Sequence, residues 1–155
     1  MASRTGYVAT ESSGDVLTTT NFDKLPNGLI GYATVTSAQT GISTITDLTS
    51  VAVTVTVNTS RILVVHGVVP IQQITSPGTA ALTIREGSTT LNSFPLVMSS
   101  ASDTGSISGF VILTGVGAGS HTYKLSLSTS AGTVNTNPAS TAPVQIGVFD
   151  MGPNF

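Results

Sequence analysis

Between Val51 and Val57 the chain alternates without a break, with Val51, Val53, Val55 and Val57 on one side and Ala52, Thr54 and Thr56 on the other. Side chains repeating every second residue share a face only in an extended strand, where successive Cβ atoms point opposite ways. A helix would scatter these valines around its circumference, and β-branched residues are weak helix formers in any case. The same period recurs in Leu82 and Ile84, in His121, Tyr123, Leu125 and Leu127 opposite Thr122, Lys124 and Ser126, and in Val144, Ile146 and Val148. No stretch has helical periodicity. The pattern predicts strands over residues 30–36, 42–48, 51–57, 61–69, 80–86, 89–98, 107–114, 121–127, 133–136 and 144–148.

Punctuation between these segments is dense. Pro26-Asn27-Gly28, Ser76-Pro77-Gly78, Gly87-Ser88 and Ser130-Ala131-Gly132 are turn signals. Segments 51–57 and 61–69, separated by three residues, read as a hairpin. Residues 61–69 are apolar on both faces, which predicts a central strand or one covered by a partner subunit. Pro70 is expected to end that strand, and Pro95 to mark an edge strand or a bulge. Short strands at regular spacing with no helices predict an all-β protein, a β-sandwich whose expected form is a jelly roll. The sandwich is assigned to residues 30–155. Residues 1–29 differ: five of the twelve charged residues fall there, Phe22, Leu25 and Leu29 are separated by polar and turn residues, and Tyr7 is a further apolar anchor candidate. They predict an extended N-terminal arm that docks through those four anchors onto a larger surface or a neighbouring copy.

Composition removes most functional classes. The 155 residues contain 26 Thr and 20 Ser but five Lys/Arg and seven Asp/Glu, for a net charge of -2. Five cations are too few for binding by phosphate neutralisation, so no nucleic-acid partner is expected. Without cysteine there is neither a disulfide nor a thiolate zinc site. The N-terminal residues lack a signal-peptide apolar core. The run 62–69 is too short to cross a membrane as a helix.

No constellation points to catalysis. His66 and His121 have no carboxylate or nitrogen ligand at metal-binding spacing. Gly105-Ser106-Ile107-Ser108-Gly109 has the glycines of a nucleophile elbow but no helix after it. Gly115-Val116-Gly117-Ala118-Gly119 lacks the lysine and the helix of a phosphate loop. The acids are scattered, and Glu86 beside Arg85 reads as an ion pair, not half of a glycosidase carboxylate pair. No catalytic residue, metal or cofactor is therefore assigned. Low charge and strands apolar on both faces favour self-association, and Arg61, His66, Arg85, Glu86 and Tyr123 are the candidates for an oligomer interface. His66, within an apolar run, is the candidate for a pH-sensitive contact.

Several segments carry a resemblance. Arg4-Thr5-Gly6-Tyr7-Val8, Asn21–Gly28, Ile30-Gly31-Tyr32-Ala33, Thr36–Ile42, Ile84-Arg85-Glu86-Gly87, Gly119–Leu125 and Phe149-Asp150-Met151-Gly152-Pro153 resemble small virion structural proteins of tailed bacteriophages, especially those of actinobacterial hosts. The closing strands also resemble trimeric jelly-roll domains of the tumour-necrosis-factor and complement type, in which Ser120–Leu125 would be a strand of the inner sheet. The resemblance implies a non-enzymatic homotrimer that decorates the outside of a phage head, with the major capsid protein as its partner. It also admits a minor tail or fibre protein, whose partner would be a host-surface glycan.

Overall fold

The computed structural model describes residues 26–57 and 60–154. Tyr7, Phe22 and Leu25, and with them residues 1–25 of the expected arm, lie outside the described residues. Nine strands follow in chain order: β1 Gly28–Val35, β2 Thr46–Val57, β3 Arg61–Gln73, β4 Gly78–Glu86, β5 Thr89–Met98, β6 Thr104–Val116, β7 Gly119–Thr129, β8 Val134–Thr136 and β9 Val144–Pro153. They form two antiparallel sheets packed face to face. One has the order β1-β9-β3-β6 with β8 beside the end of β3, and the other the order β2-β7-β4-β5. Successive strands mostly alternate between the sheets, so the architecture is the expected all-β, two-sheet sandwich with a jelly-roll path.

The sheet order corrects two expectations. Segments 51–57 and 61–69 do not form a hairpin: β2 pairs with β7, while β3 pairs with β6, β8 and β9 in the opposite sheet. A two-residue period identifies an inward face but not the sheet that presents it, and β2 and β3 bring their valines to the core from opposite sides. The sequence-adjacent pair that does zip together is β4 with β5. Residues 42–48 are not a strand of their own. Ile42 makes a single bridge to Val134, and β2 already begins at Thr46. β2 keeps its run across an irregularity between Asp47 and Ala52, where Ser50 adopts a left-handed φ of 60°.

Pro70 does not end β3, which continues to Gln73. The carbonyl of Pro70 accepts from the Asn137 amide at the place where the neighbour of β3 changes from β9 to β8. N–H and C=O of one strand residue point the same way, so the missing donor falls in that gap and costs no ladder bond. Pro95, in contrast, lies on β5, an edge strand, as expected.

The core lies between the sheets. Leu63, Val65, Val69, Ile71, Ile146 and Val148 meet Val51, Val53, Leu82, Ile84, Leu125 and Leu127 from the other side, all buried. Phe94 of β5 closes one margin over Gly109 of β6, where an added Cβ would stand 2.4 Å from the ring. β3 occupies the middle of its sheet, consistent with its apolar composition on both faces. Its inner side is buried, and its outer side is half-covered by neighbouring strands.

Candidate functional site

The outer face of the five-stranded sheet is built in rows running across β1, β9, β3 and β6. Leu29, Phe149, Val64 and Ile112 make one row; Tyr32, Gly147, His66 and Phe110 make the next; Thr34, Gln145, Val68 and Ser108 make a third. Each row is the outward half of the strand alternation that fills the core with its inward half. Six of the nine large apolar side chains exposed on the described chain stand here: Leu29, Tyr32, Phe110, Ile112, Phe149 and Met151. Phe110 and Ile112 are 56% and 57% exposed. The ring of Phe149 leans over the bare backbone of Gly147, where a Cβ would come within 3.2 Å of it, with Leu29 close beside. The Tyr32 hydroxyl donates to Gln145 Oε1 at 3.0 Å, marking the turn of the face toward polarity.

Among the described residues, no charged side chain stands on this face. Seven charged residues lie among those described, and every one is placed elsewhere. Arg61 and Asp150 form a pair inside the sandwich at 2.6 Å, their side chains 4% and 2% exposed. Asn27 Nδ2 and the Gly152 amide also donate to Asp150. Burial alone would raise the Asp150 carboxyl, but the Arg61 hydrogen bonds, the Gly152 amide and Asn27 outweigh it and hold it below the ordinary carboxylate range. Asp47 joins the outer side of the other sheet, accepting from Arg85, Lys124 and Ser126. Asp103 closes the β5–β6 loop by accepting from Ser99 and Ser100, bonds that bring its carboxyl down to about 2. Glu86 meets His121 Nδ1 at 2.7 Å, and that contact raises the imidazole above its usual value. Among the described residues no group of three or more His, Cys, Asp or Glu is disposed to hold a metal ion.

The expected interface residues therefore separate. His66 stands in the centre of the uncharged face and Leu29 at its margin. Arg61 and Tyr123 point into the sandwich instead, and a side chain buried within its own subunit is not surface that a partner can touch. Tyr123 is fully buried, stacked against His121 with ring centroids 6.4 Å apart, and burial followed by the Glu86 charge pushes its phenol up to about 12. Arg85 and Glu86 belong to β4, in the other sheet. The Ser120–Leu125 segment, expected in an inner sheet, is part of β7 and lies in the four-stranded sheet, away from the apolar face.

Phe110, Ile112, Phe149 and Met151 were not singled out from the sequence. The signal was present in Phe110-Val111-Ile112-Leu113, which is apolar on both faces as residues 61–69 are.

No protein-family model matches the sequence, and no curated protein does. Solved structures do share the fold. Eiger TNF from S. frugiperda aligns with a TM-score of 0.54 at 11% identity over 83% of this chain and 96% of its own. Murine APRIL aligns at 11% identity with a TM-score of 0.44, over 80% of this chain and 99% of its own. At such identity the first likeness describes the jelly-roll path and nothing about partners.

Proposed function

We propose that the chain is a non-enzymatic structural protein of a virion, a homotrimer whose subunits meet through the outer face of the five-stranded sheet and which decorates the exterior of a tailed-phage head. The observation that carries this reading is the uncharged apolar face. Contiguous exposed apolar surface of this kind is uncommon on a chain that works alone, and it usually marks an interface. A face without charge offers nothing to a strongly charged partner, whereas a second copy of itself matches it in kind. The number of copies and the phage head come from the sequence resemblance, not from the face.

Decoration would act by binding. Apolar area buried across capsomer boundaries favours the assembled shell over its separated parts, just as any ligand of the folded state stabilises it. The arm, residues 1 to about 29, is proposed to engage the capsid lattice or a neighbouring copy through Tyr7, Phe22, Leu25 and Leu29.

Mass analysis of the purified protein, alone and with undecorated heads, tests the reading in one experiment. A trimer that co-migrates with heads in many copies is the expected result. A monomer at every concentration would remove the self-association. Failure to bind heads, with label found in a few copies at the tail tip, would replace decoration with the tail or fibre role. Deleting residues 1–24 should weaken head binding while leaving the trimer intact; undiminished binding would remove the arm's part.

A further inference from the structure

We infer that assembly through the apolar face is acid-labile and that His66 is the group responsible; the inference rests on the self-association proposed above. His66 is half-buried on the outer side of β3, the strand in the middle of the sheet. Directly across from it stand Phe110 on β6 and Gly147 on β9, with Val64 and Val68 before and after it on its own strand. Among the described residues, the groups facing it from each neighbouring element carry no charge. β6 contributes Ser108 and Ile112 beside Phe110, and β9 contributes Gln145 and Phe149 beside Gly147. Beyond β9, Tyr32 is the other titratable group of the face, and its hydroxyl is engaged by Gln145.

An exposed imidazolium is hydrated by water. A second subunit closing over this face would remove that water, and the described residues of the face supply no carboxylate to take its place. A neutral imidazole can enter such a contact, because it needs one donor and one acceptor and no counter-ion. The assembled state therefore excludes a proton that the separated chain binds in acid.

The sign follows from that difference. Assembly is favoured while the His66 ring is neutral and weakens as acid protonates it, the dissociation constant rising by up to about tenfold per pH unit for each proton excluded. With three copies in one assembly the limit is roughly a thousandfold per unit. His121 works in the opposite direction, since its contact with Glu86 favours the protonated ring.

Sedimentation of the full chain over a concentration series at about pH 7.5 and about pH 5 brackets the titration of an imidazole. Circular dichroism in parallel reports whether the subunit stays folded. The wild type is expected to be assembled at the higher pH and to dissociate into folded subunits at the lower. His66→Gln and His66→Leu, which cannot take up a proton, should stay assembled at both, and His121→Gln should behave as the wild type does. Equal assembly of the wild type at both values would overturn the inference and leave the self-association standing. So would dissociation of both His66 variants in acid, their failure to assemble at the higher pH, or acid unfolding of the wild-type subunit. A wild type that is monomeric at the higher pH would instead sink the self-association, and the inference with it.

Discussion

Arg61 and Asp150 form a buried ion pair linking the first residue of β3 to the last strand, 89 residues apart in sequence. Removing Arg61 leaves the Asp150 carboxylate without this counter-ion in the interior, so Arg61→Leu should cost roughly 3–5 kcal/mol in chemical denaturation. The pair also sets an acid limit. A carboxyl held below its ordinary value contributes stability that is complete above the unfolded-state value near 3.9 and is lost as pH falls through the folded-state value. Thermal melts of the wild type should therefore drop below about pH 4, and Asp150→Asn should flatten part of that drop. The histidine at the end of β7 has the opposite linkage. The Glu86 hydrogen bond raises His121, so its contribution is complete below about 6.5 and fades as pH rises through the folded-state value. Both side chains are partly in solvent, so the effect on stability is small. An NMR titration reads it directly: Glu86→Gln should move the His121 midpoint downward, and an unmoved midpoint would mean that the contact does not form in solution.

Strands in this molecule are joined less by hairpins between chain neighbours than by ladders between strands distant in the chain, and the two sheets are closed on each other at their margins. β5 and β6, edge strands of different sheets, close one margin because Gly109 leaves room for the ring of Phe94. Gly109→Ala would press a methyl group to 2.4 Å from that ring, and overpacking of this kind costs about 1–3 kcal/mol. Gly117, between β6 and β7, has open space around it and lies outside the left-handed region, so Gly117→Ala should change stability by no more than about 0.5 kcal/mol. Denaturant midpoints of the two variants make the comparison, and equal costs would refute the packing account. Strand identity was legible because alternation is a local property, and β5 to β7 begin and end within a few residues of where the period and the turns put them. The merging of residues 42–48 with 51–57 into one bent strand was not. Ser50 takes a left-handed backbone conformation that glycine favours, and nothing in Thr49-Ser50 announces it.

The described residues sort into three environments: a buried, mostly apolar interior, a four-stranded sheet carrying the Asp47–Arg85–Lys124 network, and a five-stranded sheet whose outer face is apolar and carries no charged side chain. Ile112→Lys puts a cation on that third surface without touching the core, since Ile112 is more than half exposed in the single subunit. Sedimentation should find the variant shifted to monomer while its melting temperature as a separated subunit stays within a few degrees of the wild type. Retained assembly would place the contact on another surface. Before any folding, the sequence by itself determined the two-residue period of most strands, the two-sided apolar character of residues 61–69 and the scarcity of charge. Each of these can be read from residues near one another in the chain. Tertiary structure alone decided that Val51–Val57 and Leu63–Val69 line the core from opposite sheets and do not zip into a hairpin, that Arg61 turns inward to Asp150, and that Phe110 and Ile112 join Phe149 in a single face around His66. The last two are relations between residues roughly 40 to 90 positions apart. Sheet pairing fixes them through contacts that no local period encodes.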